Sequence, residues 1–208
     1  LALVAIASGE QRRLLAEARL QQDLRAAMDI VARELRRSGQ WPDAAAGIWA
    51  PASPASGAES TAASRPPVPA VNPYGAFLGV PCNSSTAAVP SATPPAGASH
   101  VCHLTAEADD TAPSRSGFHV NRGVLYAVLQ GGSPQAVTDP GATSVRRFTV
   151  TSAGREVGLG AYCGQACGDR CPGAALRAVV VELQAALPED PRVERRLRGT
   201  VRVRNDLL

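Results

Sequence analysis

Five cysteines and three histidines are the residues of this 208-residue chain best suited to cross-linking, metal binding or nucleophilic chemistry. The first group is Cys82 with the run His100-Val101-Cys102-His103. Two chemistries are open to it. A disulfide between Cys82 and Cys102 would close the Pro- and Ser-rich loop between them, removing about 3 kcal/mol of unfolded-state entropy. Alternatively Cys82, His100, Cys102 and His103 could surround a zinc ion. Zinc pairs usually come as CxxC and HxxxH, and this spacing fits neither, so the disulfide is preferred. The second group is Cys163, Cys167 and Cys171 in CGQACGDRC. Iron–sulfur runs use other spacings, and no fourth ligand is near. A Cys163–Cys171 bond across a turn between two strands, with a spare thiol, is the reading adopted. Five cysteines without a metal motif suit an oxidising compartment, and the odd count leaves one thiol over.

The acids offer less. Glu107, Asp109 and Asp110 make a patch, and Asp139 and Asp169 stand beside turn residues. None follows the oxygen-ligand alternation of a calcium loop, and turn chemistry accounts for them better. No histidine has a Ser, Cys or Asp partner at a recognisable spacing. Nucleophile-elbow, phosphate-loop and HExxH signatures are absent. The sequence therefore names no catalytic residue, no metal and no cofactor.

Composition narrows the class. The length allows one domain or two small ones. The hydrophobic fraction is 45% but aromatics are only 4%, so the core is modest. Net charge is +3, and every basic residue is Arg. Arg12-Arg13, Arg36-Arg37, Arg146-Arg147 and Arg195-Arg196 are scattered and lack aromatic neighbours, which reads as solvated surface and no nucleic-acid partner.

The element that must position the rest is a helix through Glu10 to Gly39. Leu20, Leu24, Ala27, Met28, Val31 and Leu35 recur at three- and four-residue steps, one stripe of a 3.6-residue period. Leu20, Leu24, Met28, Val31 and Leu35 are the expected packing face. Arg25, Asp29 and Arg33 stand four apart on a different face, can pair along it, and are the candidate subunit contact. Arg36 and Arg37 suit the negative end of the dipole, Gly39 stops the helix and Pro42 keeps it stopped. The preceding LALVAIA is apolar but far shorter than the roughly 20 residues a membrane span needs.

After the helix, residues 41–116 are rich in Pro, Ala, Ser and Gly and read as a long irregular loop. NPYGAFLGVPC is its apolar knot, with Tyr74, Phe77, Leu78 and Val80 expected to pin it to the domain. From residue 117 strands take over. Phe118 to Asn121 and Val124 to Gln130 form a hairpin. Val145 to Thr151 alternates strictly, Arg146, Phe148 and Val150 sharing one face. For Leu176 to Ala186 a helix is an alternative, but three consecutive valines favour a strand, and with Leu197 to Val203 it completes an antiparallel sheet of about four strands. The domain division is a helix at 1–40 and a head at 41–208, with the loop at 41–116 and the sheet at 117–208.

These segments resemble the type IV pilin-like proteins, most of all minor pilins of the PilW type, with the type II secretion pseudopilin GspJ close by. Leu20, Gln21, Arg25, Ala27, Asp29, Arg33, Glu34, Leu35, Arg36 and Gly39 fit the helix pattern of those families. Val201, Val203, Arg204 and Asn205 fit their closing strand. Residues 41–115 match nothing in the pattern, and the family's cleavage motif, a Gly before Phe-Thr-Leu-Ile-Glu, is not in the chain. The resemblance implies an α+β pilin-like fold, a helix packed on an antiparallel sheet. It also implies a structural subunit, not an enzyme, without cofactor, acting in a tip or priming complex of the type IV pilus. Its partners would be other minor pilins and the pilus fibre. It would be held in the inner membrane through its N-terminal segment, with a periplasmic head, before reaching the cell-surface pilus. A type II secretion subunit and a disulfide-stapled extracytoplasmic binding module are the rival readings.

The run of LALVAIA into the amphipathic helix generates a first expectation. The complete coding sequence should carry a short leader, a prepilin-type cleavage site and roughly 20 further apolar residues ahead of Leu1. Sequencing upstream checks it, and a charged or Pro-rich segment there would refute it.

Overall fold

The computed structural model describes residues 2–40, 76–85, 90–91, 93–105, 114–158, 161 and 173–203, with helix side chains from residue 9 onward. The chain opens with helix α1, Ala2–Arg37, 36 residues without Pro and about 54 Å long at 1.5 Å per residue. Gly39 ends it with φ of 73°, a left-handed conformation glycine adopts without Cβ strain. Its amide then donates to the Leu104 carbonyl at 3.2 Å, which ties the helix terminus to the sheet.

Eleven strands follow among the described residues: β1 Phe77–Leu78, β2 Pro90–Ser91, β3 His100–Thr105, β4 Ser114–Asn121, β5 Val124–Val128, β6 Gln135–Ala136, β7 Ser144–Ser152, β8 Arg155–Gly158, β9 Gly173–Leu176, β10 Ala178–Ala186 and β11 Glu194–Arg202. They form a six-stranded sheet in the order β2-β1-β3-β4-β5-β6, a three-stranded sheet β11-β10-β7 and a two-stranded ribbon β8-β9. Every pairing is antiparallel. The architecture is α+β and pilin-like, a long N-terminal helix on antiparallel sheets.

Details depart from the expectation of one antiparallel sheet of about four strands from residue 117. Strands β1, β2 and β3 lie inside the stretch read as loop. HVCHLT escaped notice because two histidines blur its alternation, yet all six residues pair with β4. The knot residues Phe77 and Leu78 are buried and form β1, whereas Tyr74 lies outside the described residues. The strand expected from Leu176 instead starts at Ala178, after a separate β9. In β7 the expected strict alternation is broken: the pairing with β10 shifts register between Gln184 and Ala185, and Arg146 is the extra residue. The bulge sends both Arg146 and Arg147 outward and leaves Val145, Phe148 and Val150 buried on the same face. An extra residue in one strand has this effect on a period of two.

The core is where α1 meets both larger sheets. Leu20, Leu24, Ala27, Val31 and Leu35 are each fully buried. They join Val179, Val181, Leu183 and Val201 of the three-stranded sheet, and Phe77, Val101, Phe118 and Leu125 of the six-stranded one. Phe118 and Phe148 meet edge to face, centroids 6.5 Å apart, and link the two sheets. Met28 is only half-buried; its sulfur rides above Gly199 of β11, 4.0 Å from where a Cβ would stand.

Leu35→Ala should therefore lower stability by about 2–5 kcal/mol, as transfer and cavity terms add, and Met28→Ala by less because part of its side chain already meets water. Thermal unfolding of the two variants checks the ordering. Equal melting temperatures for Leu35→Ala and the parent chain would show that the stripe is misassigned.

Candidate assembly face and the stapled sheet

Among the described side chains of α1, the head covers those from Ala16 onward. From residue 9 to Leu15 every described side chain is exposed, with Leu14 at 65% and Leu15 at 54%. Burial begins at Ala16 and Glu17 and becomes complete at Leu20. The exit point is clamped by charge. Glu17 accepts from Arg195 of β11 at 2.8 Å and from Arg13 one turn back at 3.3 Å. Further along, Asp23 accepts the Asp139 amide at 3.2 Å. Such surface pairs contribute about 0–1 kcal/mol each, so they direct the helix more than they hold it. Asp139 also closes its own turn by accepting from Gly141 at 2.9 Å.

Arg25, Asp29 and Arg33 are all exposed on the side of α1 turned away from the core. Among the described residues no ion pair joins them to one another; the helix pairs that form are Arg13–Glu17 and Glu34–Arg37. All three face solvent, where an exposed i,i+4 pair contributes only about 0.3–0.5 kcal/mol. The face also carries Ile30 at 39% exposure. Its chemistry is that of a mixed-charge strip with an apolar residue beside it. Such a strip suits recognition.

The cysteine cluster resolves into a staple. Cys82 and Cys102 are disulfide-bonded, Cα atoms 5.2 Å apart, and with Leu78 and Val128 they build a second, smaller core on the outer face of the six-stranded sheet. Gly117 on β4 stands opposite Cys102. A Cβ there would meet the Val101 carbonyl oxygen and lie 2.8 Å from the Cys82 sulfur. A side chain at Gly117 is therefore incompatible with this strand pairing and the staple together. Pairing Gly117 with Cys102 in advance would have required the strand register. Cys163, Cys167, Cys171, Glu107, Asp109, Asp110 and Asp169 lie outside the described residues.

The zinc alternative at HVCH is dismantled by strand alternation. Cys102 is consumed by the disulfide, and His100 and His103 stand an odd number of residues apart, so they project to opposite faces of β3. Among the described residues no group of three or more His, Cys, Asp or Glu gathers that could hold a metal. His103 points into the core at 1% exposure, and neither ring nitrogen has a hydrogen-bond partner. Burial, with the Arg37 charge adding to it, lowers its pKa from 6.5 to about 4. His119 is lowered too, by burial and then by His100. A described cleft of about 250 Å³ lies between Gly97, Ser99, Val120 and the Arg146–Thr149 segment of β7. It pairs no base with a nucleophile.

Two outcomes follow. Reducing the disulfide, or replacing both Cys82 and Cys102 by Ser, should cost about 3 kcal/mol, read as a fall in melting temperature of several degrees. An unchanged melting temperature would mean that the staple constrains nothing. His103 gives a pH signature. Its folded pKa lies below the unfolded value, so the unfolded state binds the extra proton between pH 6.5 and about 4. Stability from this group is complete above that window and is lost as pH falls through it, by up to about 3 kcal/mol. His103→Leu should flatten that slope relative to the parent chain in denaturant titrations; identical slopes would mean that His103 is not held neutral.

A family model described as prepilin peptidase-dependent protein B matches residues 13–203, which takes in the covered stretch of α1 and the strands through β11. No curated protein matches the chain, and no solved structure matches it. The family description implies a pilin-like subunit processed by prepilin peptidase, structural rather than catalytic, and the disulfide is consistent with an extracytoplasmic setting. By the extent of this match and by its helix-on-sheet architecture, the chain belongs to the prepilin peptidase-dependent protein B family.

Proposed function

We propose that this protein is a minor pilin of the PilW type, a structural subunit of a tip or priming complex of the type IV pilus. The observation that carries the reading is the division of α1. The stretch from Leu20 to Leu35 is sealed onto the head by a single apolar stripe, while the described side chains ahead of Ala16, Leu14 and Leu15 among them, are exposed. A helix of this form can pack among neighbouring helices at one end and present a head at the other. Arg25, Asp29 and Arg33 are the contact to other minor pilins, since rim charges steer association and set which partners are tolerated. Before assembly the head lies in the periplasm, held to the inner membrane through the N-terminal part of the helix; after assembly it is carried on the surface pilus. Among the described residues no helix is long and apolar enough to cross a membrane.

The test uses the full-length gene in its native host. Deletion should abolish or sharply reduce surface pili, and the parent gene should restore them. Asp29→Arg should leave the stability of the head within about 0.5 kcal/mol of the parent yet reduce co-purification with other minor pilins. Loss of type II secretion with normal piliation would favour the pseudopilin alternative. Normal piliation, secretion and co-purification would leave the binding-module reading in place of both.

A further inference from the structure

Strand pairing brings together two imidazoles that are remote in sequence. His100 on β3 stands directly opposite His119 on β4. The Val120 amide donates to the Ser99 carbonyl at 3.0 Å, so the hydrogen-bonded pair is the flanking one and His100/His119 is the non-hydrogen-bonded pair. That is the closest side-chain approach of an antiparallel ladder, with Cα atoms about 4.5 Å apart. The plane of His119 is held by stacking on Tyr126 of β5, centroids 5.5 Å apart and planes 15° off parallel. His119 is 9% exposed and His100 half-buried. The buried Nε2 of His100 and the buried Nδ1 of His119 have no hydrogen-bond partner. Buried polar atoms are paired in the great majority of cases, and two orphaned imidazole nitrogens on adjacent side chains call for a shared ligand.

We propose that His100 and His119 form a bidentate site for a late first-row divalent transition-metal cation, with Cu²⁺ the tightest and Ni²⁺ and Zn²⁺ also accepted. Imidazole nitrogen suits these ions, and the usual affinity order places Cu²⁺ first. Ca²⁺ and Mg²⁺ are excluded, since they need several oxygen ligands and no described cluster supplies carboxylates beside the pair. His103 takes no part, because it faces the core from the other side of β3. Cys102 takes no part, because its sulfur is in the disulfide. Two protein ligands leave the remaining coordination positions to water on the half-exposed side of His100. The site is thus an exchangeable one laid on a sheet that the disulfide already holds.

The experiment is a titration of the disulfide-intact chain with Ni²⁺ alone in a non-coordinating buffer, followed by calorimetry and by the histidine and tyrosine ring signals in NMR. The expected result is that Ni²⁺ below one equivalent broadens His100, His119 and Tyr126 ahead of every other aromatic signal. His100→Gln and His119→Gln should each weaken binding at least about tenfold, or about 1.4 kcal/mol. Absence of binding, or binding in both variants as strong as in the parent chain, would overturn the proposal, the second outcome placing the ion elsewhere on the chain. Broadening that starts elsewhere would also overturn it, and that readout uses the parent chain, so it stands even where a variant folds poorly.

Discussion

The structure depends on one apolar stripe. Leu20, Leu24, Ala27, Val31 and Leu35 are excluded from water altogether, and they are the part of α1 that both sheets share. Burying a Leu or Val side chain contributes about 1.5–3 kcal/mol, which no surface ion pair of this helix approaches. A helix whose stability comes from packing one face can leave its opposite face to solvent or to a partner. That is the arrangement in which Arg25, Asp29 and Arg33 are found.

The six-stranded sheet is secured differently on its two faces. Its inner face merges with the helix through Phe77, Val101, Phe118 and Leu125. Its outer face is too poor in large apolar residues for a full second layer, and a small cluster around the Cys82–Cys102 bond covers it instead. Gly117 is the point where both demands meet, since only the absence of a Cβ lets β3 and the disulfide approach β4. The same sheet explains the divergent fates of the histidines. Alternation along β3 sends His103 into the core, where burial suppresses its charge, and sends His100 to the outer face beside His119.

The outward surface of the three-stranded sheet is strongly basic but balanced at one point. Glu182 of β10 reaches Arg147 on one neighbouring strand at 3.4 Å and Arg196 on the other at 2.6 Å. A single carboxylate between two guanidinium groups relieves their repulsion across the sheet, as cross-strand charge pairing requires. The Arg residues along β11 protect an exposed strand edge from unwanted pairing, so they have a sufficient physical role without a nucleic-acid partner.

The sequence by itself determined the helix, its buried stripe, its stop at Gly39 and the antiparallel character of the later strands, because these features are periodic and local. A 3.6-residue repeat or an alternating run is visible without knowing what lies opposite it. Tertiary structure decided the features that depend on register and partners. Strand β3 became legible only once β4 lay beside HVCHLT, and the bulge at Arg146 only once β10 lay beside β7. The need for glycine at 117 and the meeting of His100 with His119 likewise required the ladder between β3 and β4. Pairing across a sheet joins residues remote in the chain, and a slip of one residue would have sent each of these side chains to the other face.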